Sequence, residues 1–304
     1  MIKRETLYYI NERGQRLTFS PASEYHVNIK DVGGLSDIRN QIYSINSMGQ
    51  DGDTYLGNRI ESRDIEIVGS IKERDKERGQ RLRRQLNNIL NPQFSAKLIY
   101  EFGDFRRVID CVINNAPVFI KKPIFEEFTI QLSCLFPFWR EENESRFDVA
   151  TWIGGMEFPI DRPEYDLPQG LEIPIDGTWQ IGWREPALIV NVINTGDVRA
   201  GMRIDFRSLG TLVNPSLLNV ATGEFIRINI TMLPGDVITV RTGFGEKGVT
   251  LRRRGEITDA FRFLDPDSTY LQLEVGDNIF RYDADVNMES LDITIHHFNF
   301  FLGV

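Results

Sequence analysis

Several residue groups in this 304-residue chain could do chemistry, and each needs a particular setting to do it. Gly243-Phe-Gly-Glu-Lys-Gly248 spells G-x-G-x-x-G, the spacing that lets backbone N–H groups close on a pyrophosphate where a helix begins. Val249-Thr-Leu-Arg252 follows and reads as a strand, so a hairpin loop is expected there, and the Lys-Ser/Thr ending of a P-loop is missing. Asp51/Asp53 and Asp265/Asp267 each give Asp-x-Asp. A calcium loop needs further oxygen ligands and a late bidentate Glu, so both read as turns in which Asp bonds its own backbone. The histidines are His26, His296 and His297. Neighbours on a strand point to opposite faces, so the adjacent pair does not converge on one metal. Glu126/Glu127 and Glu141/Glu142 are adjacent rather than set across a cleft as glycoside hydrolysis requires, and no Gly-x-Ser-x-Gly elbow occurs. Cys111 and Cys134 lie beside apolar residues in strand patterns and are expected as buried, reduced thiols. The chain reads as a protein that is not an enzyme and needs no cofactor and no metal.

Two weaker signals concern binding. Lys72, Arg74, Lys76, Arg78, Arg81, Arg83 and Arg84 form a basic cluster interleaved with Glu73, Asp75 and Glu77. A nucleic-acid helix wants an undiluted positive field and aromatic platforms, and neither is present. A solvated or subunit-facing helix surface is expected instead, with Lys76, Arg78, Arg81 and Arg84 as candidate subunit-interface residues. Residues 152–184 are rich in Gly, Pro and Trp. Aromatic faces suit the C–H groups of pyranose rings, so Trp179 and Trp183 are the candidate contacts if the chain is a cell-wall carbohydrate-binding module. Trp152, Trp179 and Trp183 in a sandwich core or an inter-domain contact would explain the same residues.

The elements that must position these groups are mostly strands. Hydrophobic residues make up 41% and charged residues 26%, a soluble composition, and the length suits two domains. Twenty Phe point to sheet cores. No apolar run reaches the ~20 residues that span a bilayer, and the first ten residues are too mixed for a signal peptide, so cytoplasmic synthesis is expected. Residues 7–40 read as short strands and turns, with Ile38–Ile45 a strand or a helical turn. Arg63–Gly69 alternates as a half-wet strand. Lys72 to Leu90 reads as the principal helix, N-capped by Asp75, striped by Leu82, Leu86 and Ile89/Leu90, and stopped by Pro92. Lys97–Phe102 and Arg106–Ile113 form a hairpin, and Phe128–Phe136 is the clearest alternating strand. The polar run from Arg140 to Arg146 marks a boundary, which divides the chain into domains at 1–143 and 144–304. Beyond Ala187, closely spaced strands such as Glu224–Met232 and Ser290–Phe301 indicate an antiparallel β-sandwich or jelly roll. Residues 1–147 hold 22 Lys+Arg against 21 Asp+Glu, and the rest 13 against 23, so the second half is acidic and unsuited to nucleic acid.

In their order, the turn Gly49-Gln-Asp-Gly52, the strand Arg63–Gly69, the helix end Asn88-Ile-Leu-Asn-Pro92, the strand Arg107–Val112 and Pro137-Phe-Trp139 resemble the ring-forming N-terminal domain of siphophage distal tail proteins, the Sipho_tail family. Asn194-Thr-Gly-Asp197, Asn219-Val-Ala-Thr-Gly223, Leu233-Pro-Gly-Asp236, Gly276-Asp-Asn278 and Gly303-Val304 resemble that family's C-terminal domain. The resemblance implies a mainly β chain with one principal helix: a split β-barrel with an α-helix, like a tail-tube domain, then a galectin-like antiparallel β-sandwich. It implies a homohexameric ring at the virion tail tip, a hub joining tail tube to tip or baseplate, with a lumen for passing DNA. Implied partners are the tail tube protein, tail-tip proteins and receptor-binding proteins, with assembly in the bacterial host cytoplasm. The galectin His-x-Asn-Pro-Arg signature is absent, so galectin sugar binding does not follow.

Overall fold

Alternating apolar side chains organise both halves of the chain, which a computed structural model describes at residues 5–49, 51–72, 75–123, 125–149, 151–154, 182–185 and 189–304. Two compact units result. Unit 1 is Met1–Glu144 with Gly196–Val198 and Phe298–Val304, and unit 2 is Ser145–Thr195 with Arg199–His297. The chain thus passes between them at four points, 144/145, 195/196, 198/199 and 297/298.

Unit 1 contains β1 (Thr6–Asn11), β2 (Arg16–Ser20), β3 (Tyr25–Val27), β4 (Asn40–Ile45), β5 (Thr54–Ile60), β6 (Arg63–Ile71), helix α1 (Lys76–Ile89), β7 (Ala96–Phe102), β8 (Phe105–Ile113), β9 (Val118–Lys121), β10 (Glu126–Cys134) and β11 (Trp139–Arg140). Seven strands run β8-β7-β1-β2-β3-β6-β10, and β10 returns to β8 to close a barrel. The closing seam is short, Leu132 opposite Ile113 and Ser133 opposite Val112. Only β2 and β3 pair in parallel in this ring. β9 lies outside the ring on β10, and β11 joins β8 to a short strand at Phe300–Phe301. Closure gives every barrel strand a neighbour on both sides, with β3 covering only Gly69–Ile71 of β6.

The core follows from the alternation. Along β10, Phe128, Ile130, Leu132 and Cys134 are buried. Phe128 meets Phe19 and Tyr25 with ring centroids 6.2 Å apart in each pairing, a spacing at which tilted aromatic pairs attract. Cys111 and Cys134 are free and buried, and burial pushes the Cys134 thiol up to about 12. Helix α1 starts later than the pattern from Lys72 suggests. β6 runs on to Ile71, and extended Asp75 caps the helix by accepting from the Glu77 N–H at 2.9 Å. Its stripe Leu82, Leu86 and Ile89 is buried. The Tyr25 hydroxyl donates to Leu82 O (3.1 Å) and the Asn11 amide to Ile89 O (3.2 Å).

Arg63, at the start of β6, is buried and ties three loops together. Its Nε donates to Pro137 O (2.9 Å), its Nη1 to Gly34 O (2.9 Å) and Leu35 O (2.8 Å), and its Nη2 to Leu302 O. Burial lowers its pKa, but the guanidinium stays charged. Trp139, fully buried, donates from Nε1 to the same Leu35 O (3.0 Å), and Ser36 Oγ donates to Val304 O (2.8 Å). The loop comes this close because residue 34 is glycine. Its φ is +84°, and a Cβ there would overlap the backbone carbonyl of Asp64. We expect Gly34→Ala to cost about 2–3 kcal/mol, read as a lower urea midpoint with an unchanged slope.

Unit 2 contains β12 (Ser145–Asp148), β13 (Thr151–Gly154), β14 (Gly182–Glu185), β15 (Ile189–Asn194), β16 (Ala200–Ser208), β17 (Leu212–Val213), β18 (Ser216–Asn219), β19 (Phe225–Arg227), β20 (Thr231–Met232), β21 (Val237–Arg241), β22 (Gly248–Arg253), β23 (Glu256–Asp259), β24 (Gln272–Leu273), β25 (Gly276–Asp283) and β26 (Leu291–His297). One sheet runs β12-β26-β16-β21-β22-β23 with β24 on β16, and the other runs β15-β25-β18-β19. Each buries one face, Ile204, Phe206, Ile293 and Ile295 in the first and Leu217, Ile226, Phe280 and Tyr282 in the second. This is the expected antiparallel sandwich. The Gly243–Gly248 segment is a hairpin loop, since Arg241 pairs with Gly248 and no helix begins there. Asp265 accepts from the Asp267 N–H at 2.9 Å, the turn that Asp-x-Asp suggested.

Two expected strands are each split. Glu224–Met232 breaks between β19 and β20, where Ile228 bridges to Leu264 and the Asn229 amide donates to Asp265. Ser290–Phe301 breaks after His297, where the chain leaves unit 2. β23 does not alternate because all four of its residues are exposed. His296 and His297 do face opposite ways. His297 is 2% exposed, and neither of its ring nitrogens has a hydrogen-bond partner among the described residues. Burial lowers its pKa from 6.5 to about 4. The unfolded chain therefore takes up a proton below pH 6.5 that the folded chain refuses until about pH 4, so stability falls as pH drops through that window. We expect His297→Phe to flatten that part of a melting-temperature-versus-pH profile.

Candidate assembly interface

Strands β4 and β5 form a hairpin whose only partners among the described residues are each other. Asn58 Nδ2 donates to Asn40 Oδ1 (2.8 Å), the Tyr55 hydroxyl to Asn58 Oδ1 (2.6 Å), and Ser44 Oγ to Asp53 Oδ2 (3.2 Å). Every residue of β4 is exposed, and β5 buries none. Ile42 is 62% and Leu56 64% exposed, with Tyr43, Ile45 and Tyr55 exposed beside them. A two-stranded hairpin alone in water is marginally stable, and contiguous exposed apolar side chains mark a surface made to be covered.

A second uncovered feature is β9. It pairs with β10 through Glu126–Thr129 on one side, and its other edge meets no strand among the described residues. Val118 is 57% and Ile120 46% exposed along it. Open apolar edges invite strand addition by another chain.

The four candidate interface residues on α1, Lys76, Arg78, Arg81 and Arg84, are all exposed. At 3.6 residues per turn they spread over roughly half the helix circumference, so they form no single stripe. Arg78 pairs with Glu24 at 2.9 Å. Arg83 pairs with Glu126 at 3.0 Å and lies over the Phe119 ring at 4.4 Å, which anchors α1 to β9 and β10. Glu73 and Arg74 of the cluster fall outside the described residues, as does Trp179. Trp183, in β14, is described only through its backbone, which pairs with Ile153 of β13. In the sequence the hairpin residues carry one signal, Gly49-Gln-Asp-Gly-Asp53 between two apolar-bearing runs, and no periodicity that marks them as a site. Among the described residues no three His, Cys, Asp or Glu side chains cluster as a metal would require.

Residues 21–134 match the family described as phage tail protein RIFT-related domain, and residues 195–298 match the siphovirus-type tail component, C-terminal domain. No curated protein matches the chain. Among solved structures, the fold is similar to the phage SPP1 Dit protein (gp 19.1), described as a paradigm of the hub adsorption apparatus in Gram-positive infecting phages. The TM-score is 0.67 at 14% identity, covering 97% of this chain and 99% of that one. It is also similar to a chain of the phage p2 baseplate in its activated, calcium-bound conformation. There the TM-score is 0.50 at 12% identity, covering 97% and 98%.

Proposed function

The chain belongs to the siphophage distal tail protein family, and from that premise we propose that it closes into a hexameric ring joining the tail tube to the tip. The carrying observation is the β4–β5 hairpin, an element with exposed apolar side chains that pairs with no other strand among the described residues. A cyclic ring needs two different complementary patches on each subunit. Unit 1 offers two, the hairpin and the open β9 edge, and in the ring the first of one copy covers the second of the next. Unit 1, residues 1–143 in the main, forms the ring, whose lumen passes DNA. Unit 2 carries the receptor-binding proteins. The tail tube protein and tail-tip proteins are the axial partners. The site of action is the virion tail tip, reached by assembly in the host cytoplasm.

The test is light scattering on the full-length protein, with negative-stain imaging of the same peak. A particle of about six times 35.0 kDa, seen as a ring with lobes, is expected. A monomer that stays monomeric at high concentration and in the presence of tail-tube rings would sink the reading.

A further inference from the structure

The outward face of the β15-β25-β18-β19 sheet in unit 2 holds an open cavity of about 470 Å³. Strand register builds its floor. Asp283, Ser216 and Arg227 lie side by side in one row, and Arg281, Leu218 and Phe225 in the next. Their neighbours in sequence, Leu217, Ile226, Phe280 and Tyr282, point the other way into the core, so the six are held on a rigid base. The wall is the turn at Asp265–Asp267. It is fastened along β19 by the Asp265 N–H donating to Arg227 O and the Thr269 N–H to Phe225 O, both at 2.9 Å.

The polar groups are fixed in advance by one another. Arg227 donates from Nη2 to Asp285 Oδ2 (2.6 Å) and from Nε to Asn229 Oδ1 (3.3 Å), and Asn229 Nδ2 donates to Asp265 Oδ2 (3.0 Å). Asn214 Nδ2 holds the same Asp285 oxygen at 2.7 Å. Two of the five Arg227 donors are used this way, and the other three remain for a ligand. Pre-ordered groups of this kind bind without a further entropy loss.

We infer that this cavity is a saccharide site, taking one or two uncharged pyranose units. Vicinal hydroxyls both donate and accept, and the cavity sets guanidinium donors (Arg227, Arg281) among carboxylate acceptors (Asp265, Asp267, Asp283). Phe225 beside Leu218 gives an apolar floor for the C–H face of a sugar ring. The volume falls within the ~300–1,000 Å³ of small-ligand sites. A cationic protein segment fits less well, because Arg227 and Arg281 stand among the carboxylates and Asp283 lies 3.9 Å from Arg281.

The test uses the full-length protein on an array of bacterial surface polysaccharides. Titration and saturation-transfer NMR with the scoring saccharide follow. Arg281→Ala and Asp283→Asn, both on exposed strand positions, are expected to weaken binding at least about tenfold with unchanged melting temperature. Phe225→Ala should abolish the ring-face NMR signal that Phe225→Tyr keeps. Three results overturn the inference: no saccharide scoring on the array, binding undiminished in both polar variants, or a poly-lysine peptide binding where saccharides do not. Light scattering on the same variants keeps the two readings separate. The site needs no ring, so a monomer that binds saccharide fails only the assembly proposal, and a ring that does not bind fails only this one.

Discussion

Ile42→Lys combined with Leu56→Lys is expected to turn the assembled protein into a folded monomer. Both side chains are more than half exposed in the isolated chain, so the exchange should cost that chain no more than about 0.5 kcal/mol. In the ring the same positions would be covered by the next subunit, and an ammonium buried there costs several kcal/mol. Every 1.4 kcal/mol is about tenfold in affinity. Two such charges in each interface therefore weaken association by about a thousandfold or more. Light scattering reads the loss of mass, and circular dichroism checks that the fold persists. A ring that survives both charges would show that the hairpin lies elsewhere. Charge reversal at Arg81 and Arg84 is the matching test of α1. Its effect should be smaller and salt-dependent, because exposed ion pairs contribute little.

Arg63→Met is expected to cost unit 1 a large share of its stability. The guanidinium serves four backbone carbonyls from three separate stretches of chain. Hydrogen bonds from a charged donor contribute about 1.5–3 kcal/mol each, and carbonyls left buried without a donor add a desolvation cost. Allowing for water that enters the space, the net loss is about 4 kcal/mol, against a total of about 5–15 kcal/mol for an ordinary domain. Calorimetry should show the corresponding transition falling by roughly 12 °C. Arg63→Lys should not restore it, because one compact ammonium cannot span the carbonyls that a planar fork reaches. Removing Phe298–Val304 should reproduce only part of the loss, since the partners at Gly34, Leu35 and Pro137 remain. An Arg63→Met protein that melts within about 2 °C of the parent would contradict the account.

Much of the fold was readable because burial of one face writes a period into the chain. Phe128, Ile130, Leu132 and Cys134 alternate and are buried, and Leu82, Leu86 and Ile89 recur at helical spacing and are buried. The hairpin carries no such period because neither of its faces is buried within one chain. Ile42, Tyr43 and Ile45 therefore left a strand and a helical turn equally open. Arg63 reads locally as the polar first residue of a strand. Its partners lie 28, 29, 74 and 239 residues away, and no local pattern encodes that. The cavity in unit 2 was invisible for a related reason. Arg281, Phe225 and Ser216 are each ordinary in their own segments, and only the register of three strands makes them a surface. The split of Glu224–Met232 likewise depends on Asn229 meeting Asp265, a contact across 36 residues.

The long reach from Arg63 to Leu302 also sets a clock on biogenesis. At roughly 5–20 residues per second of synthesis, the 239 residues between them take about 10–50 s to make. Throughout that interval the nascent barrel has its arginine in place without its last acceptor, and unit 2 must be translated in full before the knot can be tied.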